Sequence, residues 1–335
     1  MMKRVAAAAL VTIVGFGLVA CSTSPDVASA PSAQTAVLDD PSPIPVSTDP
    51  AASLPVTVTG FDGVDVTITD NSRIVAADRY GTLAATTVAL GLGDKLVGRD
   101  TAAKFPSVAD VPVVTVGGQS LNTEAILNLN PTVVLTDTSI GPQSVQDQLR
   151  AAGVAVVFFD PTRTLAGLSG QIQAVADALG VPAQGEALVD RTASEITDAR
   201  SLVPGEEQPL KIAFLYMRGS AITMIGGKGS GADSLIDALG GIDAGSASGI
   251  TSQFVPITSE ALIAAAPDAL LMMTDGLASI GGIDGLEKIP GIAQTPAGKN
   301  KRVVDMADGV LLSFGPNTGR VMQALAQAFY QPASS

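Results

Sequence analysis

The sequence predicts an α/β protein: two Rossmann-like lobes joined by one long helix, with a ligand cleft between the lobes. Three observations carry this. One stretch occurs twice, strand and helix alternate throughout, and a long unbroken helical segment falls between the two copies. The first copy is centred on Thr123-Glu124-Ala125-Ile126-Leu127 and runs through Pro131 into Val133-Val134-Leu135. The second is centred on Ser259-Glu260-Ala261-Leu262-Ile263 and runs through Pro267 into Ala269-Leu270-Leu271-Met272. Each reads as a short helix feeding a buried strand. Thr123 and Ser259 sit where helix starts favour a hydroxyl, and Glu124 and Glu260 fall in the first turn, where the helix dipole favours negative charge. The proline stops the helix and sets an extended chain. The successive apolar residues after it suit a strand covered on both faces. A unit repeated late in a chain indicates two similar halves.

Taken in order, residues 1–20 read as a secretory signal: Lys3 and Arg4, then an apolar run too short for a membrane span. The run ends Leu18-Val19-Ala20-Cys21, which resembles the lipobox of bacterial lipoproteins. In that group the peptide is cut before the cysteine and the thiol is lipidated. The resemblance therefore implies lipidation at Cys21 and a chain held outside the cytoplasm, anchored to the cell membrane. Residues 21–55 are rich in Ser, Ala, Pro, Asp and Thr without apolar period, and read as a flexible tether.

The amino-terminal lobe spans 56–182. Strands at 56–59 and 64–68 flank Phe61-Asp62-Gly63 as a hairpin. A strand at 74–76 leads into the turn 78–82 and a helix at 83–90, ended by Gly91. Strands at 96–98 and 113–116 follow, then the first repeat, a helix at 144–152, a strand at 154–159 and a helix carrying Leu168, Ile172, Val175 and Leu179. Ligands of parallel α/β sheets lie beyond the carboxyl ends of the strands. Those ends here are Asp78-Arg79-Tyr80, Gly117-Gly118-Gln119 and Asp137-Thr138.

Residues 183–203 carry a narrow apolar stripe of Leu188, Thr192, Ile196, Ala199 and Val203, and read as the bridging helix. About 20 helical residues span about 30 Å, enough for a strut between lobes. The carboxyl-terminal lobe spans 204–335. Its first strand ends in Tyr216-Met217-Arg218-Gly219. A strand at 222–225, a glycine-rich turn at 226–231 and a helix at 232–239 precede the second repeat, which ends Met272-Met273-Thr274-Asp275. Asp275-Gly276 reads as a loop. A strand at 302–306 and a helix at 315–329 close the chain.

Composition narrows the chemistry. The formal net charge of −13 argues against nucleic acid. Histidine is absent, which removes a Ser-His-Asp triad, a histidine zinc site and an imidazole switch. One cysteine allows no internal disulfide. The turn at 226–231 lacks the Gly-Lys-Ser/Thr ending of a nucleotide loop and reads as a tight turn that brings Lys228 towards an anionic ligand. No Ser-x-x-Lys motif is present and no spacing singles out a catalytic carboxylate pair. The chain is read as a binding protein and not an enzyme.

The lipobox, hairpin, joining helix and paired glutamates resemble the substrate-binding lipoproteins of ABC importers for iron complexes and cobalamin, over roughly residues 56–330. Within that group, Asp78-Arg79-Tyr80-Gly81-Thr82-Leu83, Gly98-Arg99-Asp100, Thr136-Asp137-Thr138-Ser139-Ile140-Gly141-Pro142 and Phe214-Leu215-Tyr216-Met217-Arg218-Gly219 are similar to actinobacterial haemin-binding members. The resemblance implies a monomeric, stiff clamshell that holds haem b as transported cargo and delivers it to an ABC permease dimer with its ATPase. It makes Glu124 and Glu260 the permease contacts. It also makes Tyr216 the iron ligand, with Arg218 bonding the phenolate. Ferric iron is a hard acid that prefers oxygen, and a neighbouring cation stabilises a phenolate. On a strand Tyr216 and Arg218 share a face. Met272 and Met273 match pocket positions, and Arg79 and Tyr80 are placed to reach a propionate. Many relatives carry a histidine where this chain has Gln119. An amide is a poor ligand for ferric haem, so the expectation is five-coordinate iron or a weak second ligand. A siderophore or cobalamin-like cargo, or surface haem relay without a permease, are the alternatives.

Overall fold

A computed structural model describes residues 33–205, 208–219 and 221–331. The signal segment and Cys21 lie outside the described residues. The amino-terminal half is built on four parallel strands in the order Leu96–Arg99, Ile74–Ala77, Val133–Asp137, Ala155–Phe159. Ile74–Ala77 and Val133–Asp137 are buried along their whole length, which explains the apolar runs Ile74–Ala77 and Val133–Leu135. The strand expected at 113–116 is shorter. Thr115–Val116 pairs antiparallel with Ser120–Leu121, because Gly117 and Gly118 at φ 59° and 71° turn the chain straight back.

The carboxyl-terminal half carries a mixed sheet. Its order is Gln34–Ala36, Val303–Met306, Ala269–Met273, Lys211–Arg218, Ile222–Gly226, Phe254–Pro256, with Ile242–Asp243 also against Lys211–Arg218. The first four strands run parallel; Ile222–Gly226 pairs antiparallel with both of its neighbours.

Between the halves runs the helix Pro182–Ser201, 20 residues and therefore about 30 Å long. Leu188 packs in the amino-terminal core and Ala199 in the carboxyl-terminal one, while Ile196 touches both. The closing helix Thr318–Tyr330 lies tightly along it. A Cβ at Gly319 would stand 2.8 Å from the Glu195 carbonyl carbon, so only glycine permits this approach.

Four further local expectations change. The repeat helices are capped one residue earlier than expected: the Asn122 side chain accepts from the Ala125 amide at 3.0 Å and Thr258 from Ala261 at 3.2 Å. The helix Thr82–Thr87 does not stop at Gly91 but widens into a π-helical turn over Val88–Leu92. Asp275 and Gly276 lie inside a helix, Thr274–Ser279. Gly276 serves close packing there, since a Cβ would meet the Met217 carbonyl at 2.9 Å.

The fourth change is the largest. From residue 33 onward the segment read as a tether is docked. Gln34–Ala36 adds a parallel edge strand to Val303–Met306. Arg320 then bonds the carbonyls of Asp40 and Ser42, and Asn317 that of Pro41. Further on, Arg191 donates to the Ile44 carbonyl, Val46 to Ala89 and Ser53 to Gly180. The segment thus crosses from one lobe to the other. Its composition has no apolar period because its backbone is satisfied by the body it lies on, not by structure of its own.

Candidate functional site

Tyr216 and Arg218 end the strand Lys211–Arg218 and share one face, while Met217 between them is fully buried on the other. Tyr216 is half-buried. Its ring packs against Phe254 with centroids 6.0 Å apart. The Arg218 guanidinium lies over that ring, 4.6 Å from its centroid. It is held there by the Met217 carbonyl at 2.7 Å, the Met273 sulfur at 3.8 Å and an ion pair with Asp308. Asp308 in turn accepts from the Asp275 amide at 2.9 Å. Here Arg218 meets Tyr216 through the ring face and not through the phenol oxygen. Asp308 and the Met217 carbonyl take two of the five guanidinium N–H groups and hold its plane over the ring.

Tyr216, Arg218 and Met273 open onto a cavity of about 360 Å³ between the lobes, whose other wall includes Arg79, Tyr80 and Lys104. Met272 does not reach it. Strand side chains alternate, so Met273 faces the cleft and Met272 is wholly buried in the core on the opposite side of the sheet. Gly118 lines the cavity, but Gln119 is exposed on its hairpin and is not part of the wall. Lys228 is likewise exposed and outside the cavity. Two further cavities adjoin the first. One of about 380 Å³ shares Arg79 and Tyr80 with it; another of about 250 Å³ shares Lys104, Asp275 and Asp308.

Behind Arg79 and Tyr80 lies a buried charge cluster. Arg163 donates to Asp137 at 2.7 Å and to Asp78 at 3.3 Å. Asp78 also accepts from the Tyr80 and Leu83 amides, pinning the start of the following helix. Asp100 accepts from the amides of Ala102 and Ala103. Burial, then the charge of Asp78, pushes the Asp100 carboxyl up to about 8. The same two causes raise Asp137, against the pull of Arg163. Burial works against the Arg163 guanidinium, but the two carboxylates outweigh it and its pKa is raised. Burial also raises the Tyr80 hydroxyl, which keeps that phenol protonated. Asp78 and Asp100 directly follow strands and Asp137 ends one, a position the sequence exposes. Arg163 carries no such signal, because it sits in the loop 160–164 and reaches the cluster only through the fold.

Glu124 and Glu260 are both exposed in the first turns of Thr123–Asn128 and Ser259–Ala265. Among the described residues neither makes an ion pair. In each lobe the segment entering this helix is tied to a neighbouring hairpin, Asn122 to the Val114 carbonyl and Ile257 to that of Thr223. Among the described residues there is no cluster of three or more metal-ligating side chains, and no helix is long and apolar enough to cross a membrane.

Two α/β lobes, a helical strut and a cleft walled by both define a bilobed binding protein. The chain belongs to the periplasmic binding protein family, whose model matches residues 79–309. It is 28% identical over 283 residues to an uncharacterized ABC transporter substrate-binding lipoprotein, YvrC, of Bacillus subtilis, covering 82% of this chain and 86% of that one. A vitamin B12-binding protein of Yersinia pestis is 36% identical over 91 residues, 26% of this chain and 32% of its own. Among solved structures, the heme binding protein HmuT is 43% identical with a TM-score of 0.85, covering 90% of this chain and 98% of its own. Its solved variants replace a histidine, a tyrosine and, two positions after the tyrosine, an arginine. The periplasmic heme-binding protein RhuT of Roseiflexus sp. RS-1 is 39% identical with a TM-score of 0.72, covering 78% of this chain and 98% of its own.

Proposed function

We propose that this chain captures haemin in its inter-lobe cleft and delivers it to an ABC permease, without chemistry on the cargo. One observation carries the reading. Tyr216 and Arg218, two apart on one strand, open together onto the cleft in a chain 43% identical to a heme binding protein studied through a tyrosine and an arginine at that same spacing. Tyr216 is the oxygen ligand for the ferric iron, and Arg218 balances the phenolate from the ring face. Met273 supplies a polarizable contact for the porphyrin, and Arg79 with Tyr80 meets a propionate. With Gln119 in place of a histidine, the iron is five-coordinate or weakly ligated on its second side. Cys21 carries the lipid that keeps the protein at the cell membrane. Glu124 and Glu260, exposed and, among the described residues, without an ion pair, are one contact per permease subunit. The vitamin B12-binding relatives match over less than a third of this chain, which favours haemin over cobalamin.

Titrating the purified protein with haemin tests the site. A tyrosinate–iron charge-transfer band is expected, and Tyr216→Phe abolishes it; a band that persists in that variant removes Tyr216 from the iron. For delivery, replacing Glu124 and Glu260 together by alanine leaves haemin binding intact and stops uptake in cells. Unchanged uptake would sink the permease role.

A further inference from the structure

The Arg218 guanidinium is placed by three elements that meet at the cleft. The strand Lys211–Arg218 brings it beside Tyr216, and its Nη1 donates to the Met217 carbonyl at 2.7 Å. The helix Thr274–Ser279 lies against it: a Cβ at Gly276 would stand 3.1 Å from that Nη1. The third element is the short helix Asp308–Leu311, whose first residue supplies the carboxylate. The two oxygens of Asp308 are divided. Oδ1 accepts from the Asp275 amide at 2.9 Å, and Oδ2 forms the ion pair with Arg218 Nη2. The next residue packs on the opposite lobe, since a Cβ at Gly309 would meet the Ala102 carbonyl oxygen at 2.9 Å. Asp308 is thus a fixed point to which the arginine is tied. The consequence falls on Tyr216. The guanidinium carbon lies over the face of its ring, 4.6 Å from the centroid, and not on the phenol oxygen. That oxygen gives its proton to water when it binds ferric iron, and it then becomes a second anion competing for Arg218.

We infer that Asp308 is a positioning residue for the iron ligand: it competes with the Tyr216 phenolate for Arg218 and so sets how much of the arginine's charge that oxygen feels. This rests on the haemin reading and adds to it a residue that acts on the ligand through Arg218. A cation shared with a carboxylate pulls less on a phenolate than one left to it alone. A phenolate that is pulled less keeps its electrons higher in energy and gives them up to ferric iron at longer wavelength.

The tyrosinate–iron charge-transfer band of the haemin-loaded protein reads this directly. Asp308→Asn removes the carboxylate charge and keeps an oxygen for the Asp275 amide. Arg218 is then left to the phenolate, and the band is expected to move to shorter wavelength. Asp308→Ser gives a shift in the same direction and serves in its place should the asparagine variant not fold. In an Arg218→Met background, Asp308→Asn produces no further shift, because no cation remains to be shared. A band that ignores both Asp308 variants overturns the inference. So does a shift to longer wavelength, or one that persists undiminished in the Arg218→Met background, which would make Asp308 a source of field acting without the arginine. Tyr216→Phe separates the two levels. If the wild-type band survives that change, the assignment of the iron ligand fails and this inference falls with it. If the band is lost with Tyr216 yet indifferent to Asp308, only the positioning role fails.

Discussion

Both lobes place an arginine and carboxylates at the carboxyl ends of their strands, and they use them in opposite ways. In the amino-terminal lobe, Arg163 is sealed: its side chain is 5% exposed, and Asp78 and Asp137 not at all. In the carboxyl-terminal lobe, the Arg218 side chain is 35% exposed and Asp308 16%, with Tyr216 beside them at the cleft. The first arrangement spends its charges on the protein itself, tying three strand ends and the start of a helix into one rigid floor. The second leaves a cation, a phenol and a thioether accessible to a ligand. Position at a strand end is thus common to both, and burial decides which one binds.

That contrast has a direct measure. Arg163→Met leaves Asp78 and Asp137 buried without their cation and is expected to cost about 3–5 kcal/mol of stability in urea unfolding. Arg218→Met, at a partly open ion pair, is expected to cost about 0–1 kcal/mol while weakening haemin binding. Equal losses of stability would mean that the two arginines do the same work, and the distinction between floor and binding face would collapse.

Much of this was legible in the sequence because it rests on period and repetition. The paired Glu124 and Glu260 units, the apolar strands behind them and the stripe Leu188, Thr192, Ile196 follow from local pattern, and so does the shared face of Tyr216 and Arg218. What the sequence hid depends on partners distant along the chain. Arg163 looks like any loop arginine until the strands ending in Asp78 and Asp137 converge on it. The segment from Gln34 to Ser53 looks unstructured because it pairs with the distant strand Val303–Met306 and bonds to Arg320, Arg191 and Ala89, with the local Ser42–Asp40 turn bond a minor part. Met272 and Met273 are indistinguishable by composition; the register of the strand against Val303–Met306 and Lys211–Arg218 decides which one faces the cleft. Gly276 reads as a turn residue, yet it is there for close packing against Met217.

The same contrast is also read through pH. Asp100 belongs to the sealed lobe, and its carboxyl is pushed from 3.8 to about 8, first by burial and then by the charge of Asp78. Between those values the folded protein keeps the proton and the unfolded chain has lost it. The folded state binds more protons, so stability falls as pH rises from about 4 to about 8, by at most about 1.4 kcal/mol per pH unit for this group. Asp100→Asn keeps an acceptor oxygen for the Ala102 and Ala103 amides and carries no proton to lose. Relative to the wild-type protein, the variant should therefore gain stability steadily from pH 5 to pH 8. Urea unfolding at each pH measures this. Asp137 is raised as well and leaves a slope of its own, so the readout is the difference between the two proteins. Parallel stability curves would show that Asp100 is ionised in the folded state and that the floor of the amino-terminal lobe is wetter than its burial indicates.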